Sequence, residues 1–304
     1  MKYLLMIVIF INFSLFAMEN SNNAPQNKIV YLISTIRSLS TAFLRMMEAR
    51  GDFCVVNEPC NSIYDKVHYP EYTKDWYTDD AFKSFNEVKK FLFEQVKQSS
   101  VFVAEMSFAA HMVMMHEEKF MESPLVQFIF LVRSPHHSSI SLYNKLKEVI
   151  PGLADGMGYK ASRELFDIIK TKGYHRPIII RSEDLYSYPI PVVTAFCQQC
   201  DIPFREHALK WQPKDQNFSA QKEWHQKLSK KEIDHWHKEA IDSHGLTQPT
   251  KYEVDEYGLA TFSEIKKDED RVAYKDAYYE CLKDYECLLA NKNYILLHQD
   301  IKNK

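Results

Sequence analysis

The chain has 304 residues, 45% of them apolar and 26% charged, with a formal net charge of −3. This is the composition of a globular protein with a sizeable core. The weakly acidic balance excludes a global basic field for nucleic acid, so any anion site must be built from a few local groups.

The first element is short and apolar. Lys2 precedes a run from Tyr3 to Phe16, and Ala17 follows. A basic start, an apolar stretch shorter than the ~20 residues that span a bilayer, and a small residue are the parts of a secretory signal peptide. The expectation is export, with 1–17 as the signal. The alternative is an uncleaved hydrophobic anchor, a membrane tether through residues 3–16. Residues 18–27 are polar and read as a linker, and residues 28–304 as one domain.

Lys28 to Ser34 is an Ile- and Val-containing run that predicts a buried strand. Thr41 to Arg50 has helical spacing through Phe43, Met46 and Met47, and Gly51 is placed to end it. "FCVVNEP" predicts a second strand, and Asp79 through Val96 a charged amphipathic helix. "VFVAEM" and "VQFIFLV" predict the third and fourth strands. Ser134 and Pro135 then open a helix over "SPHHSSISLYNKLKEVI". "RPIIIRSEDL" holds a fifth strand, and from Pro189 the pattern is mostly helical. Strands that are continuous apolar runs and alternate with helices predict an α/β fold. Its parallel central sheet is flanked by helices, and its C-terminal part is helical. Ligands of such sheets sit beyond the carboxyl ends of the strands. The cysteines at 197 and 200 form a CxxC within a helical stretch, which reads as buried thiols rather than a redox or zinc pair.

The stretch after the first strand, "STIRSLST", has the form of a phosphate loop without glycine. A helix N-terminus binds anions through its unpaired N–H groups and its dipole. Ser38, Ser40 and Thr41 add hydroxyls, and Arg37 adds a fixed positive fork. A nucleoside-triphosphatase loop needs G-x-x-x-x-G-K-[ST], and no glycine lies between Met1 and Arg50. After the fourth strand, Arg133 is followed eight residues later by Ser141, and both can return to the same crevice.

These segments resemble the sulfotransferase family, which uses 3′-phosphoadenosine-5′-phosphosulfate. "RSLST" is similar to the family's loop for the 5′-phosphosulfate, at Arg37, Ser38, Leu39, Ser40 and Thr41. Arg133 and Ser141 are similar to its 3′-phosphate pair, spacing included. "IIIRSEDLYSYPIPVVTAFCQQCDIPF" looks like its strand, E-D-L, proline and helix, with Glu183, Asp184 and Leu185 as scaffold, and "YYECL" is similar to bacterial members. The resemblance covers most of the chain from about Lys28. It implies the P-loop-like sulfotransferase fold and transfer of a sulfuryl group from that donor, without a metal, to a small-molecule, sugar, lipid or protein hydroxyl. It also implies Arg37 as the leaving-group cation and Glu58 as the general base, with His111 as the rival base. The chain departs from the family at Leu39, where the loop has glycine, and at Ala104, where many members have lysine. The adenine-stacking tryptophan corresponds to Ala42, with Phe43 beside it as a stand-in. Lys230 and Lys231, or Lys266 and Lys267, are the candidates for a basic closing loop. The alternatives are a catalytically silent relative that binds a nucleotide or anion, and a kinase-like enzyme on the same sheet.

Overall fold

The computed structural model describes residues 26–71, 76–213, 230–246 and 261–291, with the side chains of 230–234 excepted. The expected signal segment lies outside the described residues. Five strands form one parallel sheet: β1 (Ile29–Ser34), β2 (Phe53–Asn57), β3 (Ser100–Met106), β4 (Val126–Val132) and β5 (Ile178–Arg181), in the order β2-β3-β1-β4-β5. The helices of the first half are α1 (Ser40–Arg50), α2 (Asn61–His68), α3 (Phe85–Gln95), α4 (Ser107–Met114) and α5 (Glu118–Met121). Those of the middle are α6 (Pro135–Leu146), α7 (Leu153–Met157), α8 (Tyr159–Lys172), α9 (Ser182–Ser187) and α10 (Pro189–Gln199). The C-terminal part adds α11 (Lys230–Ile241) and α12 (Asp268–Leu289). Among the described residues no helix is long and apolar enough to cross a membrane.

The apolar strand runs follow from burial on both faces. Ile29, Tyr31 and Ile33 pack with Val88 of α3, Phe166 of α8 and Tyr274 of α12, whereas Val30 and Leu32 pack with Phe43 of α1 and Phe196 of α10. Phe43 stacks on Phe102 of β3 at 5.6 Å and meets Phe196 edge-on at 5.2 Å. Phe43 therefore belongs to the core and is not the adenine platform the sequence suggested.

Two helix limits differ from the sequence reading, and both are set by caps. The helix expected from Asp79 begins at Phe85, because Ser84 accepts from the Glu87 amide at 3.4 Å while the Glu87 carboxylate accepts from the Lys83 amide at 2.9 Å. The helix expected to reach Ile150 ends at Leu146, where Lys147 turns left-handed at φ 60°.

The strand order fixes where a ligand can sit. The chain leaves β1 toward β2 and leaves β4 toward β5, in opposite directions, and β1 and β4 are neighbours. The crevice at this switch point lies beyond Ser34 and Val132. The helix α11 is held over it by cations on its backbone carbonyls, Arg45 at its C-terminal end and Lys145 in its middle. Buried Arg45 donates Nη1 to the carbonyls of Ala240 and Ile241 at 2.6 and 2.7 Å, and Lys145 donates to that of His235 at 2.6 Å. Positive charge at a helix C-terminus satisfies orphan carbonyls and complements the dipole.

Candidate functional site

The switch point is built from the segments after β1, β4 and β5. Arg133, 3% exposed, donates Nη1 to the Arg37 carbonyl at 3.0 Å. Arg37 in turn donates Nε to Ser141 Oγ at 3.1 Å and Nη1 to the Trp236 carbonyl at 3.2 Å. The two arginines, far apart in sequence, thus share one site with Ser141. The buried Nε of Arg133 has no hydrogen-bond partner among the described residues. A buried, half-satisfied guanidinium is costly unless an anion completes it.

The loop itself is anchored from below. Ser38 is fully buried and donates to the Thr35 carbonyl at 2.6 Å. The Ser182 hydroxyl reaches the carbonyls of Ser38 at 2.5 Å and Val132 at 3.1 Å, so the start of α9 clamps the segments that follow β1 and β4. Glu183 accepts from the Ser134 amide at 2.9 Å. Burial raises the Glu183 carboxyl, but His137, the Ser134 amide and Arg133 outweigh it and hold the group below the usual carboxylate range. The E-D-L segment acts here as scaffold. Thr41 lies 3.4 Å from His237 Nδ1, and Ser40 is half-buried at the first position of α1.

Glycine's absence is met by strain. Arg37 and Leu39 are left-handed, at φ 59° and 73°. With Glu58 at 47° they make up three of the six non-glycine residues with positive φ among the described residues. Each costs about 1 kcal/mol or more, and such strain gathers at functional sites. Leu39 is also the N-cap of α1 and has no side-chain oxygen, so no side chain caps this helix. Its first amides remain available to an anion. We expect Leu39→Gly to stay within about 1 kcal/mol of the unaltered protein, since relief of strain offsets lost contacts and a freer unfolded chain. Leu39→Val, β-branched in a left-handed position, should cost about 1–2 kcal/mol. Urea unfolding measures both; equal stability of the Val variant would refute the strain.

Glu58 follows β2 at the same edge of the sheet. One strand, β3, separates β2 from β1, which places Glu58 roughly 10 Å from the loop. Its amide donates to the Ala104 carbonyl at 2.6 Å, and its carboxylate accepts from Asn61 Nδ2 at 2.5 Å. Burial, then the Asp65 carboxylate, outweigh the Asn57 and Asn61 amides and push Glu58 up to about 7. His111 lies elsewhere in the network: it pairs with Glu164 of α8 at 2.7 Å, outside the hydrogen-bonded group of Arg37, Arg133 and Ser141. Ala104 is buried in the core. Lys266 bonds the Ser263 carbonyl and Lys267 pairs with Asp270, each within its own turn. The side chains of Lys230 and Lys231 lie outside the described residues.

Sequence reasoning read the C-terminal part as helical but missed that Trp236 and His237 of α11 reach the loop. His237 is lowered to about 3, first by burial and then by Arg37 and Lys145. His136 of α6 is lowered to about 4, by burial, His137 and Arg133. In both, burial leads and neighbouring basic groups add to it. Nothing in the local pattern of 230–241 signals that this helix lies against a loop some 196 positions upstream.

These features define a doubly wound parallel α/β protein with a cationic, strained loop at its switch point. Neither a protein-family model nor a curated protein matches the chain. Among solved structures its fold is similar to the sulfotransferase domain of the Synechococcus PCC 7002 olefin synthase, at 16% identity over 85% of this chain and 96% of that one, with a TM-score of 0.44. It is also similar to the sulfotransferase domain from the curacin biosynthetic pathway (16% identity, 83% and 98% covered, TM-score 0.43). A sulfotransferase from Mycobacterium avium aligns at 13% identity, 86% and 77% coverage and a TM-score of 0.40.

Proposed function

We propose that this protein transfers a sulfuryl group from 3′-phosphoadenosine-5′-phosphosulfate to a hydroxyl acceptor. The observation that carries the reading is the junction of Arg133, Arg37 and Ser141 beside the uncapped start of α1, with the Arg133 Nε left open. The donor has two separated anionic ends, and this junction offers a cation for each. Arg133 and Ser141 would hold the 3′-phosphate, while the amides of Leu39–Thr41 and the Arg37 guanidinium would hold the 5′-phosphosulfate.

In the reaction the acceptor oxygen bonds sulfur as the bond from sulfur to the 5′-phosphate oxygen breaks. The products are a sulfate ester and 3′,5′-bisphosphoadenosine. Negative charge grows on the leaving phosphate, where a fixed guanidinium and helix amides lower the barrier, by roughly 3 kcal/mol for one good donor. Glu58 would take the acceptor's proton, and a base that titrates near neutrality suits that task. The acceptor is a hydroxyl of a small molecule, sugar, lipid or protein, and export through residues 1–17 is proposed from the sequence alone.

A second reading, a nucleotide binder without turnover, is favoured by Ala104 in the place of a lysine and by the contact of Arg37 with α11. Thermal unfolding with 3′,5′-bisphosphoadenosine tests the binding common to both. The nucleotide should stabilise the unaltered protein by about 2.7 kcal/mol at a hundredfold excess over Kd. Arg133→Ala and Arg37→Ala should each reduce that shift. No shift at millimolar nucleotide would remove both readings; a shift without sulfuryl transfer would leave the second.

A further inference from the structure

One buried carboxyl has no part in the scheme above. Glu105, next to last in β3, is 1% exposed. Its Oε2 accepts from the Cys60 amide at 2.7 Å and its Oε1 from the Met106 amide at 3.0 Å. The turn that carries Glu58 runs Glu58-Pro59-Cys60. Pro59 has no N–H, so this turn owns two amides. Glu58 spends its amide on the Ala104 carbonyl at 2.6 Å, and Cys60 spends its own on Glu105. Both amides are therefore bonded to the last residues of β3. A left-handed non-glycine residue such as Glu58, at φ 47°, persists only where its surroundings over-determine it.

We propose that Glu105 is the positioning residue of Glu58: through the Cys60 amide its carboxyl holds the left-handed turn that presents Glu58 at the carboxyl edge of the sheet. This rests on the reading of Glu58 as the base. The pair has a further consequence. The titratable groups that interact with it are Asp65 of α2, Tyr31 of β1 and Cys60; each is an acid, and the basic His68 acts on Asp65. Burial first, and then the charge of Glu58, push Glu105 up to about 8. The charge of each carboxyl therefore opposes ionisation of the other.

Carboxyl titration by NMR with 13C-labelled glutamate, on the full chain, reports the interaction of the two carboxyls without any ligand, and turnover of Glu105 variants tests the positioning. The unaltered protein should show two glutamate steps above pH 6. Glu58→Gln should leave one, and Glu105 should titrate lower than the upper step of the unaltered protein. Glu105→Gln should leave the Glu58 step alone. It should also slow release of 3′,5′-bisphosphoadenosine from the donor about 10²-fold with KM for the donor unchanged, as a misplaced base does. Glu105→Asp, which keeps a carboxyl, should recover part of that loss. Unchanged turnover in a folded Glu105→Gln overturns the proposal. Should Glu105→Gln fail to fold, Glu105→Asp decides: full turnover with its shorter carboxyl overturns the proposal, and a partial loss at unchanged donor KM supports it. Full turnover by Glu58→Gln would instead remove the base reading, while the titrations still report the pair.

Discussion

Glu58→Gln is expected to bind 3′,5′-bisphosphoadenosine like the unaltered protein and to release it from the donor about 10²–10⁴-fold more slowly, the range that general base catalysis supplies. The amide occupies the same volume and can still meet Asn61, whose Nδ2 lies 2.5 Å from the carboxylate. It has no basic lone pair for the acceptor's proton. The donor contacts proposed for Arg133, Ser141 and the α1 amides lie across β3 and β1 from this position, so binding and turnover should separate. The pH profile adds an independent check. Because Glu58 is pushed up to about 7, the rate should rise through neutrality as the carboxyl ionises, and this limb should vanish in the Gln variant. Retained turnover in Glu58→Gln would exclude Glu58 as the base; His111, held by Glu164, would then be the next residue to change.

Stability should form a plateau between about pH 4.5 and 6.5 and fall on both sides, for opposite reasons. On the alkaline side the relevant groups are Glu58 and Glu105, pushed up to about 7 and about 8. The folded protein keeps protons there that the unfolded chain has lost, so stability is lost as pH rises through those values. At roughly 1.4 kcal/mol per unit, the fall from pH 6.5 to 8 is about 3 kcal/mol. On the acid side the groups are His136 and His237, lowered to about 4 and about 3. The unfolded chain takes up their protons below about pH 6.5 while the fold resists, and stability is lost as the pH falls. Between pH 4.5 and 6.5 the two pairs oppose each other. Urea unfolding at a series of pH values measures the curve. A flat line from pH 6.5 to 8.5 would contradict the buried carboxyl pair. Glu58→Gln and Glu105→Gln should each flatten part of the alkaline limb.

Much of the fold was legible because its strands are buried on both faces. A strand of that kind cannot carry a polar side, so "IVYLIS" and "VQFIFLV" announce themselves without any partner in view. Helix limits were less legible. The start of α3 depends on Ser84 accepting from the Glu87 amide while the Glu87 carboxylate accepts from the Lys83 amide, and the acidic pair Asp79-Asp80 offered a competing start. Phe43 shows the limit of a positional argument. It neighbours Ala42 in sequence, but successive side chains on a helix point about 100° apart, and Phe43 turns into the core between Phe102 and Phe196.

The sequence alone determined the layered α/β architecture and the polar, arginine-bearing segments that follow β1 and β4, because backbone conformation and burial are written in local periodicity. Tertiary structure alone decided that Arg133 meets Arg37 across 96 positions, that Glu105 reaches Cys60 across 45, and that α11 closes on Thr41 from 196 positions away. It also decided that Arg37, Leu39 and Glu58 take left-handed backbone without glycine. The physical reason is range. Steric preference and hydrophobic pattern act between near neighbours in the chain. Hydrogen bonds and charges act between neighbours in space, and those are set only once strands β2-β3-β1-β4-β5 have taken their order.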